Sequence, residues 1–159
     1  MKRNPDAIHT IQQLLGGIER ESDVLRMKTF RQHGTRTTYD HCVDVACLSY
    51  QINRKLHLHA DERDLLTAAM LHDFYLYDWH DAPVRKHWNE LFQLHGFAHP
   101  SIAAKNAREK LGVNQRVESA IRTHMWPLTL RAIPRSREAW IVCLADKICA
   151  TIETVQRFS

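Results

Sequence analysis

No stretch of this chain is long or apolar enough to cross a bilayer or to act as a secretory signal, so the protein is expected in the cytoplasm with no membrane partner. CxxC pairs are missing as well. The four cysteines, Cys42, Cys47, Cys143 and Cys149, lie inside apolar helical patterns and read as reduced core residues, neither a disulfide frame nor a zinc knuckle. There is no zinc-finger spacing, no aromatic strand motif and no long Lys/Arg run, so nothing indicates a nucleic-acid polymer as partner. Gly/Ser linkers, low-complexity tracts and internal repeats are absent, and residues 1–159 are expected to form one domain. Runs of alternating polar and apolar residues bounded by hairpin turns are absent too, which leaves an all-α reading.

What the chain has in quantity is histidine. Eleven in 159 residues is high for the side chain that is both the physiological pH switch and the commonest metal ligand. The formal charge of +4 is mild, and it suits either an anionic small molecule or simple solubility.

Hydrophobic periodicity sorts the histidines. A first helix is expected with Asn4 as N-cap, Pro5 in its first turn and Ile8, Ile11, Leu14, Leu15 and Ile18 on one face. A shorter segment runs from Asp23 to about Arg31. The next helix, from about Thr38 to Leu56, carries His41, Val45, Leu48, Ile52 and Leu56 along one stripe. Asp61 is a good N-cap for a helix in which Leu65, Ala68, Ala69 and His72 fall at i, i+3, i+4 and i+7, with Asp73 beside them. A loop and a short helix near Val84 to Leu94 follow. HGFAHP then leads into a helix with Pro100 in its first turn, Ala103, Ala107 and Leu111 on one face, and Gly112 as the stop. Asn114 caps a helix whose stripe of Val117, Ala120 and Ile121 ends in His124. Ser136 opens a long final helix with Ile141, Ala145, Ile148 and Ile152 facing the core and Asp146 flanking that stripe.

A lone histidine on an apolar stripe is more often a core residue satisfied by a carbonyl than a ligand. Here His41, His72, Asp73, His124 and Asp146 all fall on or beside inward stripes of different helices, with His99 at a helix start. Buried separately, each would need its own partner. Gathered around metal, all are satisfied together.

The order H…HD…H…H…D resembles that of the HD-domain superfamily of metal-dependent phosphohydrolases, through His41 in TTYDHCVDVA, His72-Asp73 in AAMLHDF and Asp146 in CLADK. The similarity runs from about His33 to Thr151. It implies an all-α helical bundle of about six to seven helices around a buried metal site. The additional His99 and His124 are similar to the subset of the superfamily that holds two metals, which includes the HD-GYP cyclic-dinucleotide phosphodiesterases and the di-iron oxygenases related to myo-inositol oxygenase. By that resemblance His41, His72, Asp73 and Asp146 hold one divalent ion, while His99, His124 and the second oxygen of Asp73 hold the other; Mn, Fe, Mg, Ni and Co all remain open. Within HGFAHP either His95 or His99 can serve, and His99 is preferred because it directly precedes the expected helix start. The chain has no GYP motif and no adjacent histidine pair at His124, and it places Phe74-Tyr75 where relatives often have a glycine-containing turn. Cyclic-dinucleotide specificity is therefore not supported.

The implied activity is hydrolysis of a small anionic phosphate ester by metal-activated water, with Asp73 and Lys147 in catalytic roles. The alternatives are a di-iron oxygenase and a non-catalytic metal or nucleotide sensor. His33, Arg131, Arg135 and Tyr77 are candidates for substrate contact, with Tyr75, Asp78 and Trp79 as further wall residues. Homo-oligomerisation is open. His9, His57, His59, His80 and His87 read as surface or loop residues.

Overall fold

The computed structural model describes residues 5–31, 36–77 and 95–157. Asn4, His33, Asp78, Trp79, His80, His87 and the helix expected near Val84 to Leu94 lie outside them. Seven α-helices stand among the described residues: α1 (Pro5–Leu15), α2 (Ser22–Leu25), α3 (Thr38–Lys55), α4 (Glu62–Leu71), α5 (His95–Leu111), α6 (Gln115–Thr123) and α7 (Arg137–Arg157). The fold is all-α.

Local chemistry sets the helix starts. Asp61 accepts from the amide of Asp64 at 2.9 Å, Asn114 from Val117 at 2.9 Å and Ser136 from Ala139 at 3.2 Å, each satisfying a first-turn donor that the helix cannot pair internally. Gly112 takes φ of +62° just past α5, a left-handed stop that a side chain would resist. α5 begins earlier than its spacing predicts, at His95, so Pro100 lies inside the helix. There the proline forfeits the bond to the carbonyl four residues back and its ring crowds that carbonyl, at a cost of about 3 kcal/mol in a helix interior.

α4 is the hub. It packs against α1, α3, α5, α6 and α7, and every residue from Leu65 to Leu71 is buried. Its surroundings are apolar: Ile11 and Leu15 from α1, Val45 and Ala46 from α3, Ala103 and Ala107 from α5, Ile121 from α6 and Val142 from α7 all belong to the same core. Leu65→Ala should therefore cost about 3 kcal/mol, the usual scale for truncating a fully buried leucine. Urea denaturation checks this, and a loss below about 1 kcal/mol, the scale of a surface change, would remove α4 from the centre of the fold.

Two stripes are rotated from their expected positions. On α3 the buried face continues from His41 and Val45 through Ser49 and Asn53, while Leu56 is 63% exposed. Asn53 earns burial by bonding both main-chain groups of Ala60, at 3.0 Å to its amide and 3.3 Å to its carbonyl. On α7 the inward residues are Val142, Ala145, Asp146, Cys149 and Glu153, with Ile152 37% exposed and Ile148 only partly covered. In both helices polar groups, among them the partnered Asn53, Asp146 and Glu153, occupy positions that hydropathy alone gives to isoleucine and leucine. The four cysteines are buried and free. No described helix is long and apolar enough to cross a membrane.

Candidate metal centre

The centre forms where five helices bring side chains to one buried point. α4 ends at Leu71, so His72 stands at its C-cap with Asp73 next, and His124 holds the corresponding place after α6. Both imidazoles use the same device. Nδ1 of His72 bonds the carbonyl of Ala69 at 2.8 Å, and Nδ1 of His124 bonds that of Ile121 at 2.7 Å. A carbonyl accepts only, so each Nδ1 carries the proton and each Nε2 is left as a lone pair. Beyond Asp73 the chain turns through Leu76, whose φ of +61° is a left-handed conformation that a side chain disfavours by about 1–2 kcal/mol.

His41, from the first turn of α3, has Nδ1 3.1 and 3.2 Å from the two carboxylate oxygens of Glu153 and Nε2 3.1 Å from Oδ1 of Asp146. His72 Nε2 lies 3.6 Å from Asp73 Oδ2 and 3.6 Å from Asp146 Oδ1. On the other side, His99 Nε2 is 3.2 Å from Asp73 Oδ1 and 3.0 Å from His124 Nε2, and His124 Nε2 is 3.8 Å from the same Asp73 oxygen. The two oxygens of Asp73 thus face two separate groups. Ligand atoms of His41, His72 and Asp73 lie within 4.8 Å of one another, and so do those of Asp73, His99 and His124. All of these side chains are buried.

The electrostatics call for a cation. Burial opposes charge on Asp73, yet the neighbouring His72, His99 and His124 hold its carboxyl well below the usual range. Burial likewise opposes charge on Asp146, and the neighbouring imidazoles of His41 and His72 overcome it. Burial alone would push His41 down, but bonds to Asp146 and Glu153 carry it up to about 10. His72 is raised against its burial chiefly by Asp73. His124, by contrast, is driven down to about 3 by burial and by the charges of His72 and His99, so it is a neutral donor. The field that draws a proton to His72 would equally draw a metal ion.

One atom tests the fit directly. His72 Nε2 is fully buried and has no hydrogen-bond partner among the described residues. A buried polar atom in that condition costs about 1–3 kcal/mol, and it lies 3.6 Å from a carboxylate oxygen of each of Asp73 and Asp146. Imidazole and carboxylate donors around it are the set that suits Mn, Fe, Co, Ni or Zn. The residues present therefore fit divalent metal.

Other expected residues are placed less centrally. Lys147, beside Asp146, donates from Nζ to the carbonyls of His124 at 2.9 Å and Cys143 at 3.4 Å. Tyr77 is half-buried, its ring 5.0 Å from that of Tyr75, which in turn meets His99 edge-on at 5.9 Å. Burial and then the charge of Asp73 push the Tyr77 hydroxyl up. Arg131 is exposed in the connection between α6 and α7. Arg135 is not brought to the cluster: it lines a surface groove of about 570 Å³ with Asp64, Asn114, Arg116 and Ser136, beside the opposite end of α6 from His124. His9, His57 and His59 are exposed. Glu153 has no counterpart in the expected site. Its signal was available, because it falls seven residues after Asp146 and hence on the same helix face.

The model of the HD domain family matches residues 38–151, a span that takes in every member of the cluster from His41 to Asp146. No curated protein and no solved structure matches the chain.

Proposed function

We propose that this chain, which belongs to the HD domain family, acts as a single domain that hydrolyses phosphate esters at a two-metal centre. The family is one of metal-dependent phosphohydrolases. The observation that supports this reading best is the division of Asp73, with one oxygen toward His72 and the other toward His99 and His124. His41, His72, Asp146 and Asp73 Oδ2 would hold one ion, and His99, His124 and Asp73 Oδ1 the other. When bound, the ions would supply Lewis-acid activation of water and of the phosphoryl oxygen.

The chain's own residues do the rest. Asp73 fixes the position of the attacking water, because its carboxylate is held rigid from both sides. The ammonium of Lys147, drawn off the His124 carbonyl, gives its proton to the leaving oxygen. Tyr75 and Tyr77 form a wall against His99 that keeps bulk water from the reacting group. Arg131 is the cation nearest in sequence to His124 on the connection that follows it, and is proposed to contact the phosphate.

The test is release of nitrophenol from a nitrophenyl phosphate mono- or diester, expected to be stimulated by Mn²⁺ and abolished by a chelator. Two bound irons with a mixed-valent EPR signal and no ester hydrolysis would instead indicate a di-iron oxygenase. Lys147→Met should lower kcat by about 10²-fold or more, the scale of general acid catalysis, with little change in KM. An unaltered kcat would reduce Lys147 to a brace between α6 and α7.

A further inference from the structure

We infer that Glu153 is a positioning residue for the metal centre, its carboxylate fixing His41 and strengthening it as a ligand. The inference rests on the metal-centre reading above and concerns a residue outside the matched span of the family. Both Glu153 oxygens lie within 3.2 Å of His41 Nδ1, which makes Nδ1 the donor and turns Nε2 toward Asp146. A carboxylate on the far nitrogen of a ligating imidazole sets its tautomer, holds its ring plane and raises its basicity. Glu153 occupies the inward face of α7 seven residues beyond Asp146, so a single rigid helix supplies both a proposed ligand and the support for another.

Glu153 is itself held. Arg36 pairs with Asp44 on α3, and its Nε lies 3.9 Å from Glu153 Oε1. Glu153 and Asp44 are both buried, and Arg36, Asp44, Cys149 and Glu153 line a cavity of only about 20 Å³. The guanidinium between the two acids offsets part of the cost of burying them and leaves little room for Glu153 to swing off His41. The cluster is thus backed from outside by a charge network that meets it at the His41 imidazole.

Calorimetric titration of the metal-stripped protein with Mn²⁺ decides the matter. Glu153→Ala should weaken one of the two ions roughly 10- to 100-fold, the usual range for losing such a support, and leave the ion at His99 and His124 unchanged. Glu153→Gln should fall between Ala and the native protein, because its amide oxygen still accepts from Nδ1 but carries no charge. If the alanine variant does not fold, the glutamine variant alone decides. Native affinity for both ions in Glu153→Gln would overturn the inference while leaving the metal centre intact. Equal weakening of both ions would show a general structural role and overturn it as well. A native protein that takes up no Mn²⁺ would overturn the inference together with the proposed function.

Discussion

Asp73→Ala should emerge from purification with neither ion, while His124→Ala should retain one. The reason is geometric: Asp73 offers one carboxylate oxygen to each group, Oδ2 at 3.6 Å from His72 and Oδ1 at 3.2 Å from His99, whereas His124 Nε2 faces His99 and that same Oδ1, and its ring meets His72 edge-on. Asp73→Asn is the folding control. It preserves shape but replaces one ligating oxygen by an amide that can only donate, so it too should lose at least one ion. Ester hydrolysis should fall to background in both Asp73 variants. Metal analysis by mass spectrometry and circular dichroism read the two effects separately. Equal metal loss from His124→Ala and Asp73→Ala, with both proteins folded, would count against a shared carboxylate.

Metal should also stabilise the protein strongly. A ligand at about 100 times its Kd adds about 2.7 kcal/mol per site, so two filled sites add about 5 kcal/mol. For a domain of this size each kcal/mol moves Tm by about 2–4 °C, which gives a rise of roughly 10–20 °C on saturation with Mn²⁺. The physical source is the cluster itself, where carboxylates and imidazoles are buried with a lone pair of His72 left unsatisfied. A melting curve that does not respond to Mn²⁺ or to a chelator would sink the two-ion reading, since no binding energy would then be coupled to folding.

Much of this was legible from residue patterns. Asp61 and Asn114 announce the starts of α4 and α6, and the spacing of Leu65, Ala68 and Ala69 with His72, and of Val117, Ala120 and Ile121 with His124, places both histidines inward. The family match confirms the HD domain, and the structure gathers the six expected His and Asp side chains. The far ends of α3 and α7 were not legible. Ranking positions by hydropathy put Ile152 in the core, whereas Glu153 is the residue that turns inward, because a buried imidazole needed an acceptor that isoleucine lacks. A polar residue that is buried only because its partner is buried leaves no hydrophobic trace. Arg135 shows the converse: nearness in sequence to His124 suggested a shared site, but the connection carries it back along α6 to the other end of that helix.

The bonds from His72 to Ala69 and from His124 to Ile121 make helix length a chemical variable. The acceptors are carbonyls of the last turn, which lack the amide four residues on because the helix stops; that of Ile121 also takes a long bond of 3.5 Å from the His124 amide. One further turn on α4 or α6 would claim those carbonyls for main-chain amides and oblige each imidazole to find its proton's partner elsewhere, with Nε2 no longer committed to the centre. In this chain the register of two helix ends decides which nitrogen is a base, so an insertion near residue 71 or 123 would be a mutation of the site without altering any residue in it.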